Sequence, residues 1–121
     1  MKRSFRLTRS TDIMRVRRSG KSYVHPLVVL YVLKSDLPET HVGVSAGVAV
    51  GNAVKRNRGK RLLRAAMSEL VSATVPGWQL LLIARSPLAE ANFFQTRAAL
   101  SILLKRAGLI NQAYEFRTPA S

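Results

Sequence analysis

Six of the ten residues from Lys55 to Arg64 are lysine or arginine, and no acid stands between Glu39 and Glu69. Such a segment folds as a helix that rests one apolar stripe on a core and leaves its cations in water. At about 100° per residue, Gly59, Leu62, Leu63, Ala66 and Leu70 supply that stripe at i, i+3, i+4, i+7 and i+11. Gly51-Asn52 opens the helix, which is expected to run to about Val71. Arg56, Lys60 and Arg64 form a row on another face at i, i+4 and i+8, with Asn57 and Arg61 beside it. Like charges at this spacing destabilise an isolated helix by roughly 0.2–0.5 kcal/mol per pair. A helix that needed only solubility would interleave glutamates, so this one is patterned for an anionic partner. Four of the six cations are arginines, which grip phosphate oxygens bidentately where lysine offers a point charge. Free backbone N–H groups at Gly51-Asn52 offer a further place for a phosphate. Six engaged phosphates would lower affinity by about three orders of magnitude between about 50 and 200 mM salt.

The whole chain shares this bias. Twenty Lys+Arg against six Asp+Glu give a formal charge of +14, a self-repulsion that a polyanion relieves. Nucleic acid and acidic membrane surfaces are the candidates, but no apolar run approaches the ~20 residues that span a bilayer. The start, MKRSFRLTRS, is basic without an apolar stretch behind it, unlike a secretory signal. Its arginines and serines superficially suit a mitochondrial presequence, yet the same segment reads well as part of the fold. With 121 residues, 47% of them hydrophobic, the chain is expected to form one domain, 1–121, around one core. The lack of cysteine excludes disulfides and thiolate metal sites.

Ser10 is placed to cap a helix through Thr11–Ser19 that stops at Gly20, with Ile13, Val16 and Met14 facing inward. Lys21–Lys34 reads as a strand, buried on both faces over Leu27–Leu33, with Pro26 marking a bulge or an edge. Ser35–Thr40 is a turn, and His41–Ala49 is expected to pair with the first strand. Val75-Pro76-Gly77 breaks the chain before a third strand, Trp78–Ala84. A last helix covers about Glu90–Arg106, with Phe93, Leu100, Leu103 and Leu104 inward, and residues 111–121 read as frayed. Helix, two or more strands, helix, strand, helix gives an α+β layer sandwich.

The run VGNAVKRNRGKRLLR, Val50–Arg64, resembles the RNA-binding helix of the bacterial ribonuclease P protein component. Gly51, Asn52, Ala53, Val54, Arg56, Asn57, Arg58, Lys60, Arg61 and Arg64 match that family's pattern. The likeness extends over about Leu7–Ile110, through Gly20-Lys21-Ser22, Val29-Leu30-Tyr31, Val42-Gly43-Val44-Ser45, Ile83-Ala84-Arg85 and Leu103–Ile110. It implies a mixed sheet of about four strands with three helices, ribosomal-protein-like, with a left-handed crossover against the usual handedness. The implied function is that of a subunit which binds a catalytic RNA and the 5′ leader of precursor tRNA. The RNA then removes the leader hydrolytically with Mg2+ held mainly by RNA and substrate. Catalytic-RNA contacts are implied for Asn52, Lys55, Arg56, Asn57, Arg58, Lys60, Arg61 and Arg64. A leader cleft between the first helix and the sheet is implied for Arg9, Ile13, Arg17 and Tyr31. No membrane and no obligate protein partner are expected, and the location implied is cytoplasmic.

Two departures from the family matter. Val48-Ala49 stands where many members carry paired lysines, and Ile13 and Arg17 stand where members often carry aromatics. Weaker leader discrimination than in members with both aromatics follows, because base stacking cannot come from those two positions. Tyr31 remains a possible stacker. His25 and His41 have no acid cluster nearby in sequence and read as structural strand residues, so neither a catalytic nor a metal residue is nominated. Gly51 and Gly59-Lys60 lack the spacing of a nucleotide phosphate loop. A different RNA-packaging protein would share the composition but not the Val50–Arg64 run. A self-sufficient nuclease would need clustered carboxylates, which the six scattered acids do not form in sequence.

Overall fold

A computed structural model describes residues 6–116. The elements are α1 (Ser10–Ser19), β1 (Lys21–Val24), β2 (Val28–Lys34), β3 (His41–Ala46), α2 (Ala53–Leu70), β4 (Trp78–Ala84) and α3 (Phe93–Arg106). Short 3-10 turns occupy Val48–Val50, Val71–Ala73 and Ser86–Glu90. The sheet runs in the order β1-β2-β4-β3, antiparallel at β1/β2 and β2/β4 and parallel at β3/β4.

β4 takes an interior position because both of its faces are apolar: Leu80 and Leu82 point one way, Leu81 the other, and all three are buried. β3, expected to pair with the first strand, therefore lies on the far side of β4, with Val42 beside Leu80 and Val44 beside Leu82. α2 is the crossover that makes this parallel pairing possible. The expected long strand Lys21–Lys34 is a hairpin instead. Pro26 sits in its turn, where the lack of an N–H costs nothing, and Tyr23 pairs with Leu30.

α2 and α3 cover one face, packing Leu63, Met67, Leu70, Leu100, Leu103 and Leu104 onto Val28, Leu30, Val32, Leu80 and Leu82. These helical side chains are fully buried, each worth roughly 1.5–3 kcal/mol of transfer free energy. α1 covers the other face, where Val16, Leu7 and Leu81 form a smaller cluster with Ile13, Tyr31, Leu33 and Ile83. Met14, expected inward, is 64% exposed on the outer side of α1. Ser10 is the first helical residue rather than the cap: Arg9 holds the N-cap position without a side-chain bond. Gly20 ends α1 through close packing. A Cβ there would run into the Val16 carbonyl and stand 2.8 Å from the Val32 carbonyl oxygen.

α3 starts three residues later than expected, because Ser86–Glu90 forms a 3-10 turn and Asn92 and Gln95 complete a reciprocal capping box. The C-terminal stretch is not frayed through residue 116. Lys105 Nζ donates to the Tyr114 carbonyl at 2.9 Å, and the Phe116 ring lies 4.1 Å from the Arg97 guanidinium carbon. Residues 117–121 fall outside the described residues.

Candidate nucleic-acid interface

The cationic run divides by helical face. Lys55, Arg58 and Gly59, at i, i+3 and i+4, turn toward the 3-10 turn Ser86–Glu90. Arg58 Nε donates to the Ala89 carbonyl at 3.0 Å and Nη2 to the Ala91 carbonyl at 2.8 Å. Lys55 Nζ stands 3.9 Å from Glu90. Gly59 is buried, with Leu88 3.6 Å from where its Cβ would be. Asn52 is the helix N-cap, accepting the Lys55 N–H at 3.0 Å, and the Gly51 N–H donates to the Val48 carbonyl. Of the Gly51-Asn52 donors expected to be free, that of Gly51 is thus already paired, as is the Lys55 N–H one turn on.

The other face is open. Asn57, Lys60, Arg61 and Arg64 line a concavity of about 450 Å³ together with Ala65 and Arg6. Arg6 was not among the sequence candidates; only the basic N-terminal run hinted at it, and its place depends on Leu7 bonding to the Val42 carbonyl at 2.8 Å. Among the described residues the ion pairs are Arg15–Asp12, Lys55–Glu90 and Arg97–Glu69. Arg56, Lys60, Arg61 and Arg64 therefore carry charge that no acid of the described chain neutralises. Val48, where lysine was the family expectation, is 82% exposed, so this replacement leaves an apolar surface beside the cations.

α1 leaves part of its sheet face uncovered. Val24, Val29, Ile83 and Ser45 align in register across all the strands, and none is buried. At ~4.8 Å between strands this row makes a trough floor of roughly 14 Å. The next row is Ser22, Tyr31, Leu81 and Gly43, and there α1 begins to cover the face through Val16. Of the cleft candidates, Ile13 and Tyr31 are brought together as half-buried members of that cluster. Arg9 and Arg17 are exposed and share the helix side of Ile13 at i−4 and i+4. A second depression, lined by Arg6, Leu7, Thr8, Ile13, Val42, Gly43, Val44 and Arg64, joins this region to the α2 concavity.

His25 lies in the β1–β2 turn rather than on a strand. Its Nδ1 accepts the Leu27 N–H at 3.1 Å. Arg106 and Arg85 donate to the Val24 and His25 carbonyls at 3.1 and 3.3 Å. Burial, and then the nearby Arg106 charge, push its pKa below the usual imidazole value. His41 opens β3. Among the described residues no three His, Asp or Glu side chains are placed to hold a metal. No helix among them is long and apolar enough to cross a membrane.

A mixed sheet with a helix on one face, two on the other and an unneutralised cationic row on the crossover helix defines a small basic α+β protein built to meet a polyanion. The ribonuclease P family pattern matches residues 1–108. The ribonuclease P protein component of Clostridium beijerinckii is 34% identical over 122 residues, covering 95% of this chain and 98% of the relative. That of Listeria monocytogenes serotype 4a is 36% identical over 114 residues, covering 93% and 95%. The solved RNase P protein of Staphylococcus aureus superposes with a TM-score of 0.79 at 27% identity, covering 88% of this chain and 98% of that one. The Thermotoga maritima protein, solved with 1-(4-fluorophenyl)-2-thiourea, gives 0.75 at 28% identity, covering 84% and 98%. The chain belongs to the ribonuclease P protein family, the protein components of a tRNA-processing endoribonuclease.

Proposed function

We propose that this chain binds the catalytic RNA of ribonuclease P through the open face of α2, and the 5′ leader of precursor tRNA in the trough beside α1. The RNA carries out phosphodiester hydrolysis with Mg2+ held by RNA and substrate, and the protein contributes binding and charge neutralisation. The observation that carries this reading is the concavity of Arg6, Asn57, Lys60, Arg61 and Arg64, whose cations lack acidic partners among the described residues. Phosphates supply the missing counter-charge, and guanidinium forks fit their oxygens. The trough supports the second half: a largely apolar floor of Val24, Val29, Ile83 and Ser45 suits bases, and the exposed Arg9 and Arg17 on the Ile13 side of α1 suit phosphates. The complex works in the cytoplasm, without a membrane and without an obligate protein partner.

The test is cleavage of precursor tRNA at low magnesium by catalytic RNA alone, protein alone, and both together. The expected result is slow cleavage by RNA, none by protein, and strong stimulation when they are combined. Cleavage at the mature 5′ end by protein alone would overturn the assignment of chemistry to the RNA. Absence of stimulation would overturn the subunit role.

A further inference from the structure

Arg58 stands in the middle of the Arg-Asn-Arg run, where the sequence makes it look like its neighbours. Its surroundings are different. Two of its donors are committed to backbone carbonyls 31 and 33 residues away, at 3.0 and 2.8 Å. Those carbonyls belong to Ala89 and Ala91, both buried, where the 3-10 turn ends and Asn92 begins to cap α3. Both bonds are half-buried and the Arg58 side chain is itself exposed, so α2 supplies these two carbonyls with charged donors where they would otherwise be left to water. Gly59 packs on the same side, where a Cβ would stand in ordinary contact with Leu88 at 3.6 Å, and Lys55–Glu90 adds a weaker exposed contact there.

We infer that Arg58 is a positioning residue: it fixes the rotation of α2 against the Ser86–Glu90 turn and so aims Lys60, Arg61 and Arg64 outward, without itself binding a phosphate. This deepens the proposed function and rests on it for the RNA readout. The rotation matters because the open and anchored faces alternate along the same helix. A turn of α2 by one residue, about 100°, would carry the cationic row off the concavity.

The test compares Arg58→Ala, Arg58→Gln and Arg61→Ala. Glutamine places a neutral N–H donor at the same number of bonds from Cα as the arginine Nε, so it can keep the Ala89 bond while losing the charge. Binding to catalytic RNA is measured across salt, well below every melting temperature. Arg58→Ala is expected to melt roughly 4–10 °C lower and to bind about tenfold more weakly, with an unchanged salt slope. Arg58→Gln recovers much of both losses. Arg61→Ala keeps its melting temperature and loses about 0.7–0.9 of salt slope. A slope loss of that size in Arg58→Ala and Arg58→Gln would overturn the inference by making Arg58 a phosphate ligand. A lower melting temperature with unchanged affinity would overturn it by making Arg58 structural only. An unchanged melting temperature in Arg58→Ala would overturn the anchor even if the wild type failed to bind the RNA, a failure that would itself sink only the proposed function.

Discussion

Replacing Lys60, Arg61 and Arg64 together by alanine removes three cations from the open concavity and leaves the anchored side of α2 intact. The helix should tolerate this. Alanine has the best helix propensity, and the change relieves like-charge neighbours at Arg56–Lys60 and Lys60–Arg64, worth roughly 0.2–0.5 kcal/mol each. None of the three side chains has an acidic partner among the described residues, so no ion pair is lost. The effect falls on binding. Each phosphate contact contributes about 0.7–0.9 to the slope of log affinity against log salt, so three contacts contribute roughly 2–3. Over a fourfold rise in salt, the ratio of wild-type to variant affinity should therefore shrink by about 20–40-fold. Anisotropy titrations of labelled catalytic RNA at several salt concentrations read this directly, with thermal melts confirming that the variant is folded. Parallel salt plots for the two proteins would refute the reasoning, because they would mean that these cations meet no phosphate.

Stability should fall as pH drops from neutral toward 5. His25 has a folded pKa below its unfolded value, so the unfolded chain takes up the proton first; the stability is fully present above about 6.5 and is lost as pH falls toward and through the folded pKa. His25→Asn, which can accept the Leu27 N–H without titrating, should flatten that dependence in melts at several pH values; an unaltered profile would exclude His25 as its source. Gly20→Ala should lose roughly 1–3 kcal/mol in urea unfolding, because the methyl meets backbone carbonyls that cannot swing away. Wild type should prefer leader-bearing over leaderless tRNA only weakly. Arg17→Phe should raise that preference about fivefold or more, the lower end of base–aromatic stacking, whereas strong discrimination by the wild type would contradict the role given to Ile13 and Arg17.

Much of the fold was legible because periodicity and breakers act locally. The β4 run Trp78–Ala84, the inward Leu100, Leu103 and Leu104, and Gly59, Leu63, Ala66 and Leu70 of the α2 stripe lie where the pattern places them, whereas Leu62 is only half-buried and Met67 joins the core in addition. What sequence could not show depends on contacts distant in the chain. The pairing of β3 with β4 follows from which strand must be buried on both faces, a property of the assembled sheet. Pro26 read as a bulge or an edge, and only the pairing of β1 with β2 shows that it lies in a hairpin turn. The candidate site divides the same way. The charge row on α2 is visible from spacing, but the diversion of Arg58 to Ala89 and Ala91 needs the fold. The joining of Arg6 to Arg64 needs it too, because it depends on the N-terminal segment running along β3.

The chain has no cysteine, so a single one can carry a hydroxyl-radical source at a chosen place. Ala65→Cys sets it on the wall of the α2 concavity, and Ile102→Cys sets it on α3, where the side chain is 42% exposed. With catalytic RNA bound, strand scission from position 65 in a compact region of the RNA, and little or none from position 102, is the result expected if the open face of α2 is the RNA-binding surface. Scission from position 102 and silence from position 65 would place the RNA against α3 instead and contradict the account.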